Sequence, residues 1–313
     1  MSGPLAHPLR RAWRAGLALA KLERPLDDIR INQGRMLAAM NEGRQGTRLS
    51  DYEFRVFSQW GEDGIIQFLV GELDIPNRCF IEFGVEDFTE SNCRFLLMKD
   101  RWAGFVIDGS PENIARLNSS YYFWQYPIEC VASFVTRENI AGLLEQSGFG
   151  PEPGILSIDI DGVDYFVLEA LAHLRPAILI VEYNGVFGRG RAVSVPYDAA
   201  FVRGRKHHSN LYYGANLPAF MHLASARGYA LVGVNGAGSN AFFVRRELLK
   251  GRVREATLDS CYRDSTFREG RDASGALNFA SGAARRRDIA HLPLLDVVTN
   301  ETLTVGDLGP DAT

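Results

Sequence analysis

The sequence predicts an α/β fold: a mostly parallel seven-stranded sheet, helices on both faces, and a β-hairpin at its end. Three observations predict it. Short apolar runs alternate with helix-periodic segments five times after Phe57, and such alternation builds a parallel sheet with crossover helices. The runs, such as "ILIV" at Ile178–Val181, are continuously apolar, as expected of strands buried on both faces. The series closes with "YALVGVNGAGSNAFFVRREL", two strands joined by a Gly/Asn turn.

In order along the chain, residues 1–48 read as a helical appendage. Leu26, Ile29, Ile31, Met36, Leu37 and Met40 recur at roughly helical spacing. Such a helix packs either on the main domain or on a second copy of the chain, which makes a homo-oligomer through these helices an expectation. "EGRQGTRLS" reads as a linker. The main domain is expected over 49–250. "SQWGEDGIIQFLVGEL" places Ile65, Ile66, Phe68, Leu69 and Leu73 on one helical face. Ser58 is the expected cap, with Glu62 and Asp63 in the first turn, where the helix dipole favours acids. "RCFIEFGVE" is a strand stopped by glycine, and "ESNCRFLLMKDRW" a helix. "AGFVIDGSPENIARLNSS" is strand, acidic turn and helix, with Ser110 capping and Pro111 opening the first turn. "IECVASFV" is a strand and "TRENIAGLLEQSG" a helix capped by Thr136. "GILSIDIDGVDYFVLEAL" supplies the next strand and helix, "PAILIVEYN" another strand, and "NLPAFMHLASARG" another helix. Residues 251–313 form an extension of mixed charge, expected to wrap the core and close the acceptor site. The last ten residues, "TVGDLGPDAT", are expected to be disordered.

Ligands of such sheets bind outside the carboxyl ends of the strands, so the strand-end residues carry the functional information. The first strand ends in Glu82 and Gly84, the second in Asp108, the third near Ser133, the fourth in Asp159 and Asp161, and the fifth in Glu182 and Asn184. A glycine directly after the first strand allows close approach of a ligand. An acid after the second is placed to accept hydrogen bonds from two ribose hydroxyls. No G-x-G-x-x-G occurs, which removes the pyrophosphate cradle of a dinucleotide site and disfavours an NAD-dependent oxidoreductase. Acidic ends suit a nucleoside with a ribose and a cationic centre and no phosphate, and S-adenosylmethionine has those properties.

Taken together, "SQWGEDGII", "FIEFGVEDFTESNCRFLL", "WAGFVIDGS", "LSIDIDGVDYFVLEAL", "ILIVEYN" and "NAFFVR" resemble the FkbM-like S-adenosylmethionine-dependent methyltransferases, above all members that O-methylate sugars of bacterial surface glycans. The resemblance runs from Phe57 to Val244 and continues through "STFREGRDASGALNFASGAARRRDIAHLPLLDV". It implies a Rossmann-like class I methyltransferase core. It also implies that Glu82 and Gly84 belong to the cofactor loop, that Asp108 binds the ribose, and that Ser133 lies on the adenine side. Asp159 and Asp161 match an acidic motif after the fourth strand. Gln59, Gly61, Glu62 and Asp63 match a lead-in segment that folds over the methionine end of the cofactor. Val85 and Glu86 stand where a second glycine is common in methyltransferases.

The fourth-strand acids have three readings: binding the cofactor's amine or sulfonium, holding a divalent metal, or acting as the catalytic base. Asp159 and Asp161 lie two apart and would face the same side of an extended chain. Asp164 reads as an acid in the first helical turn. With Glu182 and Asn184, Asp159 and Asp161 make an oxygen-rich set suited to Mg²⁺ or Mn²⁺. The candidates for a base that takes the acceptor's proton are Asp161, Glu182, His207 and His208. Both histidines lie in the insertion "GRGRAVSVPYDAAFVRGRKHHSNLYYGA", read as a substrate lid. Arg189, Arg191, Arg203, Arg205 and Lys206 make that insertion basic enough to attract a phosphate-linked sugar, and Tyr197, Tyr212 and Tyr213 are placed to stack on sugar rings.

A net charge of −4 argues against a nucleic-acid binder. Cys79, Cys93, Cys130 and Cys261 show no CxxC spacing and read as reduced thiols, with Cys79 and Cys130 expected to be buried. No apolar run reaches the ~20 residues of a membrane span. The apolar patch near the N-terminus is broken by Arg14 and Lys21 and lacks a small-residue cleavage site, so it reads as an exposed or amphipathic helix and the chain as cytoplasmic. A second class of function stays open at this point: a non-catalytic nucleoside-binding or assembly subunit that kept the fold.

Overall fold

A computed structural model describes residues 6–309, with side chains from residue 22 onward. In chain order the helices and strands are α1 (Ala6–Glu42), α2 (Glu62–Glu72), β1 (Cys79–Phe83), α3 (Arg94–Asp100), β2 (Ala103–Asp108), α4 (Pro111–Ser119), β3 (Ile128–Ala132), α5 (Ile140–Glu145) and β4 (Ile155–Ile158). They continue as α6 (Asp164–Ala170), β5 (Ile178–Glu182), β6 (Val193–Ser194), α7 (Arg203–Lys206), α8 (Leu217–Ala226), β7 (Tyr229–Val234) and β8 (Asn240–Arg245), then α9 (Leu258–Cys261), α10 (Ala283–Asp288), β9 (Pro293–Asp296) and β10 (Thr302–Thr304).

The main sheet has the order β3-β2-β1-β4-β5-β8-β7, with only β8 running against its neighbours. The Rossmann-like sheet with its terminal hairpin is therefore present as expected. Alternate strand residues feed two cores. Ile81 and Phe83 of β1 join Leu144 of α5, Val167 of α6 and Phe220 of α8 on one face. Phe80 of β1 joins Leu69 of α2, Leu96 of α3 and Leu117 of α4 on the other. Burial on both sides explains why these strands read as unbroken apolar runs.

Some local signals act where the sequence puts them. Ser110 caps α4 by accepting from the Asn113 amide at 3.2 Å, with Pro111 in the first turn. Others are displaced by longer-range contacts. The cap of α2 is Gly61, at φ 108°, and not Ser58. Ser58 instead joins Val56 and Phe57 in donating to Oδ2 of buried Asp63, all at 2.8 Å. Asn139 caps α5, and Thr136 exchanges hydrogen bonds with it one turn earlier.

Residues 27–41 of α1 lie along the domain. Asp27 accepts from Arg94 at 2.6 Å and from Tyr121 at 2.8 Å. A Cβ on Gly34 would come within 2.6 Å of both Phe95 and Val56, so only glycine permits this approach. The amphipathic reading of the first residues falls on side chains outside those described. The C-terminal extension is woven into the body: β9 and β10 form a second, antiparallel sheet with β6 of the insertion. Disorder of the last ten residues does not hold for 304–309, where Val305 is buried and a 3₁₀ turn runs Val305–Leu308. Residues 310–313 lie outside the described part.

The cysteines are unpaired; Cys93 is buried, while Cys79, Cys130 and Cys261 are half-buried, short of the burial expected for Cys79 and Cys130. Among the described residues no helix is long and apolar enough to cross a membrane.

Candidate functional site

Strand order reverses between β1 and β4, and chain connections leave that point in opposite directions. This opens the crevice in which such sheets bind ligands. A cavity of about 540 Å³ lies there, over the carboxyl ends of β1, β2, β4 and β5. Its walls include Gln59, Glu82, Gly84, Asp108, Ser133, Asp159, Asp161 and Glu182.

Gly84 is required by geometry. At φ +72° a Cβ would stand 1.5 Å from the Asp159 carbonyl oxygen, so the β1 loop and the end of β4 touch through backbone alone. Glu82 is buried and accepts from Ser91 Oγ at 2.7 Å and from the Asn92 and Cys93 amides at 2.8 and 3.2 Å. Burial nevertheless pushes its carboxyl above the usual range. Its local role is to hold the 91–93 turn against the cavity floor. Asp108 accepts from the Glu86 amide through one oxygen, and from the Ser110 amide and Asn113 Nδ2 through the other, at 2.8 to 3.1 Å. These bonds fix the carboxylate and leave it acceptor capacity toward the cavity, since two carboxylate oxygens offer about four lone-pair sites.

The acids after β4 are not in extended chain. β4 ends at Ile158, and Asp161 has φ +54°. Asp164, buried, bends this turn by accepting from the Ile160 amide through one oxygen and from the Gly162 amide through the other, at 2.8 and 2.9 Å. It is the organiser of the turn rather than a helix-end ornament. The bend still brings carboxylate oxygens of Asp159, Asp161 and Glu182 within 4.8 Å of one another. Burial, followed by the charge of neighbouring acids, pushes both Asp159 and Glu182 well above the ordinary range. Two such carboxyls side by side resist being charged together, and each favours its protonated form more than a free carboxyl does.

Eight carboxylates line the cavity, and Arg203 is the one cation among its lining residues. Arg203 ties three distant segments together. It pairs with Asp161 after β4 and with Glu269 of the C-terminal extension, each at 2.5 Å. It donates to the Asn210 carbonyl at 2.7 Å and lies 3.7 Å from the centroid of the Tyr213 ring. Across the mouth, Trp60 stacks on Phe267 with centroids 5.5 Å apart.

Four expected site residues stand elsewhere. Glu62 lies behind the wall and not on it: it is fully buried and accepts from Asn235 and Asn240 at 2.6 and 2.9 Å. Asn184 does not line the cavity and is committed to the backbone of its own loop and the insertion. Its amide donates to the Leu211 and Tyr213 carbonyls, and its Oδ1 accepts from the Val186 amide. His207 and His208 do not reach the cavity. They pack on each other, 4.2 Å between centroids, with His291 beside His207 at 5.8 Å. The insertion's basic side chains are largely neutralised within the protein: Arg189 faces Asp259, Arg191 faces Asp296 and Glu301, and Lys206 faces Asp198. The tyrosines are committed too, Tyr212 to the Pro293 carbonyl and Tyr197 to Glu138.

No protein-family model matches this chain, and no curated protein matches it either. Solved structures do. A carbon methyltransferase named DszA is 14 % identical over 60 % of this chain, with a TM-score of 0.36. This chain spans only 53 % of that protein's length. The N-terminal domain of EvdMO1, solved with S-adenosylhomocysteine bound, is 12 % identical over 60 % of this chain and 80 % of its own, with a TM-score of 0.40. An O-methyltransferase family protein from Burkholderia thailandensis is 13 % identical over 76 % of this chain and 72 % of its own, with a TM-score of 0.35.

Trp60, Phe267 and Glu269 carry no site role in the sequence reading, and Arg203, expected there to attract a phosphate-linked sugar, instead pairs with Asp161 and Glu269. Trp60 lies inside the quoted "SQWGEDGII", and Phe267 and Glu269 inside "STFREG". No spacing rule links Trp60 to Phe267, more than 200 residues on, or Arg203 to Glu269 in the C-terminal extension, so the stack and the ion pair are visible only in three dimensions.

Proposed function

We propose that this chain is an S-adenosylmethionine-dependent O-methyltransferase that methylates a sugar hydroxyl in a glycan, of the FkbM-like type. One observation carries this reading: the crevice at the strand-order reversal is walled by eight carboxylates, and its single cation is already paired. Such a wall suits a cationic sulfonium and neutral hydroxyls, and repels phosphate. Bound S-adenosylmethionine would supply a methyl group on that cationic sulfur, open to in-line displacement by the acceptor oxygen. Asp108 would accept from the ribose hydroxyls. Gly84 would let the cofactor lie against backbone, and the Trp60–Phe267 stack would screen the methionine end from water. Glu182, beside Asp159, would take the acceptor's proton when the pair is ionised. The four unpaired thiols accord with a reducing compartment such as the cytoplasm.

Asp159, Asp161 and Glu182 also have the donor chemistry for Mg²⁺ or Mn²⁺. An ion there would polarise the acceptor hydroxyl. It would have to compete with Arg203 for Asp161.

Calorimetry with S-adenosylmethionine, S-adenosylhomocysteine and NAD tests the cofactor; binding of NAD alone would reject the proposal. Release of S-adenosylhomocysteine with a panel of glycans tests the chemistry. Cofactor binding without turnover on any glycan would instead favour the non-catalytic subunit. Full activity in EDTA would remove the metal.

A further inference from the structure

On α1, Leu22, Leu26, Ile29, Met36 and Met40 are 51, 51, 63, 69 and 73 % exposed. With Gln33 between them, these positions are spaced 4-3-4-3-4 along the helix. That is the spacing of the apolar seam in a two-stranded coiled coil. Single exposed apolar side chains are ordinary, but five in one seam are not.

The stripe cannot turn inward. The opposite face of α1 is held by the buried Arg94–Asp27 pair, by buried Ile31, and by Asn41 donating to the Tyr52 carbonyl at 2.7 Å. From residue 27 to 41 the seam is thus presented on a fixed platform; from Leu22 to Met40 it is about 27 Å long at 1.5 Å per residue, with Pro25 in its first turn.

We propose that this seam pairs with the same seam of a second copy of the chain, antiparallel about a two-fold axis. The occupant follows from three features. The spacing reads the same in both directions, so a two-fold rotation brings every seam position onto another. Leu22 meets the partner's Met40, Leu26 meets the partner's Met36, and Ile29 lies beside the partner's Gln33. This is the self-complementarity that a closed dimer requires. In this register the two copies' Gln33, the one polar seam position, lie about 6 Å apart along the helices at 1.5 Å per residue, within reach of each other's amides, and registers that slide the copies apart leave both unpaired among apolar side chains. The charge pattern speaks against a lipid surface: residues 22–42 carry Glu23, Asp27, Asp28 and Glu42 against Arg24, Arg30 and Arg35. Helices that lie on anionic membranes are instead rich in Lys and Arg. The inference is independent of the proposed chemistry, because the seam lies on α1 and none of its residues lines the cavity.

The test is sedimentation and light scattering of the full chain at tens of micromolar, the range in which a small interface assembles. The expected mass is that of a dimer. The double variant Leu26→Glu/Ile29→Glu should raise the dissociation constant by at least about 100-fold, with melting temperature and cofactor affinity close to wild type. If that variant fails to fold, Met36→Lys/Met40→Lys serves in its place. Asp28→Ser, exposed and off the seam, should remain dimeric. A wild-type monomer at these concentrations, a dimer that survives the seam variants, or co-sedimentation of a monomer with phosphatidylcholine–phosphatidylserine vesicles would each overturn the proposal.

Discussion

Arg203→Met should move the ionisation of the cavity to higher pH. Arg203 lies 2.5 Å from Asp161, and Asp161 shares a 4.8 Å cluster with Asp159 and Glu182. The guanidinium thus sits roughly 5–7 Å from the Asp159 and Glu182 carboxyls, close enough for its charge to be felt. At an effective dielectric between about 20 and 40, a unit charge at that distance is worth about 1–3 kcal/mol, or roughly one to two pH units. Its field favours ionised Asp159 and Glu182, and it opposes the burial that drives both carboxyls up. Without it, the pair keeps its proton to higher pH. The direct assay is calorimetric affinity for S-adenosylmethionine between pH 5 and 9, in EDTA to exclude metal. Affinity should rise as the pair ionises, because its negative charge attracts the sulfonium. In the methionine variant the midpoint should move up by about one unit or more. An unmoved midpoint in a folded variant would refute the electrostatic coupling. Loss of the ion pairs to Asp161 and Glu269 and of the cation–π contact with Tyr213 should also lower the melting temperature.

Asp108→Ala should abolish S-adenosylmethionine binding in calorimetry, and retained affinity would end the ribose assignment. Gly84→Ala should do worse: a Cβ placed 1.5 Å from the Asp159 carbonyl forces β1 and β4 apart, so both cofactor affinity and melting temperature should fall. Asp63 is pushed up to about 6 by burial. Because its folded value exceeds the unfolded one near 4, the native state binds the extra proton, and the stability from this group is lost as pH rises from about 4 to 6. Denaturant unfolding of wild type minus Asp63→Asn should therefore decline across that window, on the order of 2–3 kcal/mol; a flat difference would mean that the four donors on Oδ2 keep the group ionised.

How far the sequence could be read depended on the range of the interaction. The apolar runs, the Gly84 turn and the Ser110–Pro111 helix start are decided by neighbours within a few residues, and the structure keeps them. Ser58 was misread as a cap because Asp63, five residues on, draws it and two amides into the core. The i, i+2 spacing of Asp159 and Asp161 suggests same-side residues of a strand, yet it is Asp164 that gathers them by bending the turn. His207 and His208 were attractive because imidazole titrates near neutrality. In the structure they pack on each other, with His291 beside His207, and none of the three lines the cavity.

The acidity of the cavity is itself a constraint on what it does. Carboxylates this close and this poorly hydrated cannot all be charged at once. The protein spreads the load in three ways: backbone amides on Glu82, Asp108 and Asp164, a guanidinium on Asp161 and Glu269, and a raised affinity for protons on Asp159 and Glu182. The first two are complete within the structure. The third is the one that a ligand can alter, because a cation entering beside the pair would expel a proton. Binding of a cationic ligand should accordingly release a fraction of a proton near neutral pH, seen as a buffer-dependent heat in calorimetry. A neutral nucleoside of the same shape should release none. Equal heats for the two in all buffers would place the proton elsewhere and remove Glu182 as the base.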